Sequence, residues 1–179
     1  MGCRTIVTFL ALTLASGATA AAIPATLPPS RAKQNVTVIP SFNVSDFTAS
    51  AIVLSHRDFY RFDVIFCKDH PPVHCEALGT TLSEELGSIP QTRCGDSSEV
   101  SFKWTRYQDG TSDLLIMREV VAAFTGEDRV ITDEAVYTVP SNDTPRLGPG
   151  KLQHMVYAGP ENFSVPALRF EVCRDETDD

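Results

Sequence analysis

The densest group of metal-ligating and nucleophilic side chains in the sequence is Asp69-His70-Pro71-Pro72-Val73-His74-Cys75. Imidazole, carboxylate and thiolate are the ligand types that zinc takes. On a helix His70 and His74 would share a face, but Pro71-Pro72 excludes regular helix between them. The two histidines are therefore read as loop residues, and no metal or other cofactor is expected. A secreted copper enzyme that cleaves polysaccharides would begin its mature chain with His, whereas this one would begin at Ala21 or Ile23. Cys75 beside His74 has the composition of a nucleophile and its base, but neighbours on an extended chain point in different directions. A further set, His56, Arg118, Glu134 and His154, offers the His, Glu and Arg that small secreted ribonucleases place on one sheet face. A chain of this length supplies such a set by chance, so no catalytic residue is assigned.

Other residues suit recognition better than reaction. Trp104 and Tyr107 flank Arg106, and an exposed aromatic beside an arginine is what protein-recognition surfaces favour. Trp104 is in phase with Phe102 and belongs to the core, while Tyr107 falls on the opposite face. The binding candidates are Tyr107, Arg106, His70 and His74.

The elements that must position these residues are strands. In 57–67 Tyr60, Phe62, Val64 and Phe66 alternate with Arg61 and Asp63, the period of a half-buried strand. Val100, Phe102 and Trp104 alternate likewise and run into Gln108-Asp109-Gly110, a turn that returns the chain through 114–121. Gly126-Glu127-Asp128 turns it again into a strand at 129–139, which completes an up-and-down run of three. Residues 35–55 give two β-like segments broken near Pro40 and Asp46, and short strands are expected at 153–157 and 167–173. Between Cys67 and Cys94 a loop is expected, with one or two helical turns where Leu78, Leu82 and Leu86 recur every four residues. The fold class is all-β, a single compact disulfide-stapled β-barrel or sandwich of about seven to eight short strands.

Around this domain, 35–175, lie a signal peptide at 1–20, an extended proline-containing lead-in at 21–34 and an acidic tail at 176–179. The first 20 residues carry Arg4, a short apolar run and Ala18-Thr19-Ala20 as a cleavage signal. Their removal takes away one of 15 basic side chains and none of the 23 acidic ones, so the net charge moves from -8 to 14 − 23 = −9. That excess of acid disfavours a nucleic-acid partner, and the apolar run is too short and too diluted by Thr and Ser for a membrane span. Cleavage also removes Cys3 and leaves Cys67, Cys75, Cys94 and Cys173 for an oxidising compartment, where two disulfides in any of three connectivities are expected. Sequons occur at Asn35, Asn43, Asn142 and Asn162, which makes the secreted chain a glycoprotein.

In FDVIFC, then RCGDSSEVSFKW, then DLLIMREVV, the middle third of the chain resembles the secreted fungal family typified by the major Alternaria allergen, which includes plant-associated effectors and elicitors. The resemblance implies a compact β-barrel and a Cys67–Cys94 disulfide, which leaves Cys75–Cys173 as the second bridge. It also implies a non-enzymatic protein in the host apoplast, acting in virulence or as a trigger of plant immunity, with a host extracellular protein or a small apolar ligand as partner and a homodimer as one assembly. A small secreted hydrolase, a ribonuclease by its residue set, is the alternative. N-terminal sequencing of culture filtrate is expected to read from between Ala21 and Ile23; recovery of Met1, or of protein only in the cell lysate, would remove the secretory reading.

Overall fold

The computed structural model describes residues 34–67, 70–81, 84–97, 99–124 and 127–172. Ten strands follow in chain order: β1 Gln34–Ala51, β2 Arg57–Ile65, β3 Val73–Thr80, β4 Ile89–Arg93, β5 Val100–Arg106, β6 Ser112–Phe124, β7 Glu127–Val139, β8 Arg146–Leu147, β9 His154–Met155 and β10 Phe163–Val172. Eight form one antiparallel sheet in the order β3-β2-β1-β10-β7-β6-β5-β4, while β8 and β9 make a small ribbon. The sheet curls until its two end strands meet, a nearly closed barrel whose seam lies between β3 and β4. The signal peptide, most of the lead-in, Cys173 and the acidic tail lie outside the described residues.

The seam is joined covalently by Cys75–Cys94, with Cα atoms 4.2 Å apart. This overturns the pairings Cys67–Cys94 and Cys75–Cys173. Cys75 faces Phe62 in the β2–β3 register, on the inward side, and Cys94 follows β4, also fully buried. Cys67 comes one residue after Phe66, out of phase with the inward positions of β2, and is only half-buried. The loop and helical turns expected between Cys67 and Cys94 are overturned as well, because β3 and β4 occupy half of that stretch, Leu78 included. Leu78, read as one ridge of a helix, is 61% exposed on the outside of β3, and Leu82 lies outside the described residues.

The expected breaks at Pro40 and Asp46 are β-bulges within one 18-residue strand. Each bulge adds a residue and so exchanges the inward and outward faces. Ile39 points in before the first; Phe42 and Val44 point in after it; and Phe47, Ala49 and Ala51 point in after the second, where Asp46 takes a positive φ of 54°. The second bulge sets Phe47 at the barrel's centre, 5.7 Å from the Phe62 ring, 6.0 Å from Trp104 and 4.7 Å from Tyr157. Pro166 stands opposite the first bulge, between the pairs Ile39–Ala167 and Phe42–Val165. The missing N–H of a proline therefore interrupts no ladder there, which is why β10 starts at Phe163 and not at Ala167.

The three-stranded run β5–β6–β7 folds as its alternation predicts, and Gly110, at φ 87°, supplies the left-handed position of its first turn. Inside the barrel Trp104, Tyr60, Phe42, Phe47, Phe62 and Phe102 are fully buried, with Phe62 and Phe102 packed edge to face at 5.1 Å across the barrel. Such a pair adds about 1 kcal/mol to the area it buries. A disulfide closing a loop of this size contributes about 3 kcal/mol. Cys75→Ala/Cys94→Ala is accordingly expected to lower the free energy of unfolding by that amount, read from denaturant midpoints. A non-reducing tryptic map should join peptide 69–93 to peptide 94–103; a link from peptide 62–68 to peptide 94–103 would restore Cys67–Cys94 and contradict the seam.

Candidate functional site

Alternation and register distribute the binding candidates over both ends of the barrel. His70 is exposed in the turn after β2, and His74 is on the outer face of β3, its Nδ1 2.7 Å from Asp63 Oδ1 and its Nε2 3.7 Å from Glu76 Oε2. Among the described residues no group of three or more His, Cys, Asp or Glu side chains is placed to hold a metal ion, and Asp69 lies outside them. Arg106 ends β5 and Tyr107 follows it, at the opposite end. Arg106 is turned inward, donating from Nη1 to Thr144 Oγ1 at 2.9 Å and to Ser112 Oγ at 3.3 Å, so it ties the β5–β6 hairpin to the turn at 141–144. Tyr107 is 45% exposed and donates to Asp113 Oδ2 at 2.8 Å, a bond that raises its phenol above the usual range.

The set His56, Arg118, Glu134 and His154 is not brought together. Arg118 pairs in register with Asp133 and points to the inner face, which puts Glu134, the next residue, on the outer one. His56 and His154 lie at the other end, in the turn before β2 and on β9, where His154 Nδ1 is 3.1 Å from Leu152 O.

Two polar clusters that sequence reasoning missed sit inside. At the Cys94 end Arg169 donates from Nε and Nη2 to Asp133 at 2.7 and 2.9 Å, and this two-point bond raises the guanidinium further. The neighbouring Arg118 lies 5.3 Å over the Phe66 ring and 3.9 Å from Glu99. At the other end Asp58 is fully buried, and its Oδ2 accepts the Gly87 N–H at 2.5 Å and faces the Tyr60 hydroxyl at 3.0 Å. Tyr60 Oη also lies 2.6 Å from Gly87 O, and burial together with Asp58 holds its phenol far above the usual range. Gly79 is the register partner of Asp58, and a Cβ there would stand 2.0 Å from Asp58 Oδ1. The signal for both clusters was phase: Asp58 alternates with Tyr60 and Phe62, and Asp133 with Ala135, so each carboxylate falls on a core-facing position.

The Asp58–Tyr60–Gly87 contacts hold the approach to β4 against β2 and so fasten the second end of the seam. Outside the seam, His74 and Arg93 each precede a bonded cysteine and point outward. Beyond Arg93 a depression of about 320 Å³ crosses the outer face of β4–β7, lined by Gln91, Arg93, Ser101, Met117, Glu119 and Thr132. It is open and carries charge of both signs, which suits a polar macromolecular surface better than an apolar small molecule. A disulfide at the seam fits an extracellular protein. Asp58→Ala would strand the Gly87 N–H and is expected to cost about 2 kcal/mol in urea unfolding; a variant as stable as the parent would remove the network from the closure. Set against protein-family models, curated proteins and solved structures, the chain matches none.

Proposed function

We propose that the chain is a secreted fungal effector- or elicitor-like protein that acts in the host apoplast by binding a host extracellular protein, and so modulates or triggers plant immunity. The observation that carries this reading is a covalently closed barrel whose interior is packed with aromatic rings, with His70, His74 and Tyr107 on separate outer surfaces. Such a body has a rigid surface to present, and its dispersed His, Glu and Arg favour recognition over acid–base chemistry. The resemblance carried by the Cys67 strand and the Cys94 hairpin supplies the biological setting.

The contact surface in this reading runs from His70 and His74 across the seam to Arg93 and the β4–β7 depression. Arg106 is a structural tie and leaves Tyr107 alone at the far end. A filled interior gives a small apolar ligand little to enter. Purified mature protein infiltrated into plant tissue is expected to raise cell death or defence output. A folded His70→Ala/His74→Ala/Arg93→Ala/Glu119→Ala variant should lose that response, and Tyr107→Ala should keep it. A response that survives the quadruple change would move the surface elsewhere. Hydrolysis of RNA or polysaccharide, abolished by a single change at His56, Glu134 or His154, would replace binding by catalysis.

A further inference from the structure

An apolar stripe runs along the outside of β1 and β10. Val36, Val38 and Leu168 are 55%, 69% and 41% exposed, and the register pairs Val36 with Phe170 and Val38 with Leu168. Next along the two strands the exposed Pro40 faces Pro166 at the first bulge, and the outward pair after that is Asn43 with Ser164. The stripe thus ends at the asparagine of the sequon Asn43-Val44-Ser45. Asn162, which opens Asn162-Phe163-Ser164, has the phase of Ser164 and shares this face.

The two amides are held alike. Asn43 Oδ1 accepts the Ser164 hydroxyl at 2.6 Å, and Asn162 Oδ1 accepts the Asp46 N–H at 3.3 Å. In each the carbonyl oxygen is engaged, while the amide nitrogen, the atom that takes an N-linked sugar, makes no hydrogen bond among the described residues. Asn142 is held the other way, its Nδ2 donating to Asp143 Oδ1 at 3.1 Å.

We propose that Asn43 and Asn162 carry N-linked glycans whose proximal sugars lie along Pro166, Leu168 and Val38 and cover the stripe. At roughly 3.3 Å per strand residue, Val38 stands about 15 Å from Asn43, within the reach of a few sugar rings. The C–H faces of those rings can take the aliphatic surface out of water. Bare, it would be a face for non-specific association. The glycans leave β4–β7 as the open side, since none of the four sequons falls within 89–139. The proposal rests on the secretory reading and adds to it which sequons are used and what their sugars do.

The full chain, secreted from a filamentous fungal host, is mapped by mass spectrometry after a glycan-releasing amidase that hydrolyses the Asn–sugar amide and so converts each occupied Asn to Asp. Asn43 and Asn162 are expected to be occupied and Asn142 not. Removing the sugars from the folded protein should raise the fluorescence of a hydrophobic dye about threefold, and Val38→Ser/Leu168→Ser should abolish that rise. An unmodified Asn43 or Asn162, an occupied Asn142, or dye binding unchanged by sugar removal overturns the proposal and leaves the functional reading standing. A glycosylated dimer in light scattering would overturn it too, by placing a second copy on the stripe. Retention inside the cell would overturn both.

Discussion

Between β3 and β4 the barrel has no hydrogen-bonded ladder, and everything else in the fold depends on how that gap is held. A twisted antiparallel sheet of eight strands has two free edges, and free edges pair with other chains unless they are covered or closed. Here both edges are brought together and fastened at two levels, by Cys75–Cys94 near one end and by Asp58, Tyr60 and Gly87 near the other. The disulfide limits the unfolded chain. The carboxylate network acts in the folded state, and it works because Gly79 leaves space for Asp58 beside β3.

With the seam closed, the interior must be filled, and β1 governs how. A strand of 18 residues without bulges would point one set of side chains inward along its whole length. Two bulges let β1 present Phe42 and Val44 from one phase and Phe47, Ala49 and Ala51 from the other, while its halves pair with different neighbours, β10 and β2. Phe47 thereby meets rings from β2, β5 and β10. A side chain that contacts three strands makes their placement mutually dependent, and the seam and the core support each other for that reason.

The same geometry separates what is available for function. Arg106 looks like a binding residue in sequence but, like Arg169, serves as an internal tie, spent on partners within the barrel. What remains outside is a polar surface across the seam and over β4–β7, and an apolar stripe on β1 and β10 bordered by sequons. One side is suited to specific contacts; the other needs a cover.

Alternation alone determined that this is a β protein: Tyr60, Phe62, Val64 and Val100, Phe102, Trp104 are core positions in sequence and in space, because a pleated strand has only two faces. Turn chemistry at Asp109-Gly110 likewise fixed the β5–β6 hairpin locally, and the breaks at Pro40 and Asp46 were legible as interruptions. What the interruptions did was decided by tertiary structure, since a bulge and a chain break look alike until the partner strand is known. The same holds for the stretch between Cys67 and Cys94. Its leucine spacing suggests a helix, but β2 and β5 offered unpaired edges, and the ladders they form with β3 and β4 outweigh weak helix propensity over a few turns. Once those strands exist, Cys75 and Cys94 face the same interior and must be partners. No spacing of cysteines encodes that pairing, because it depends on which edges meet when the sheet closes.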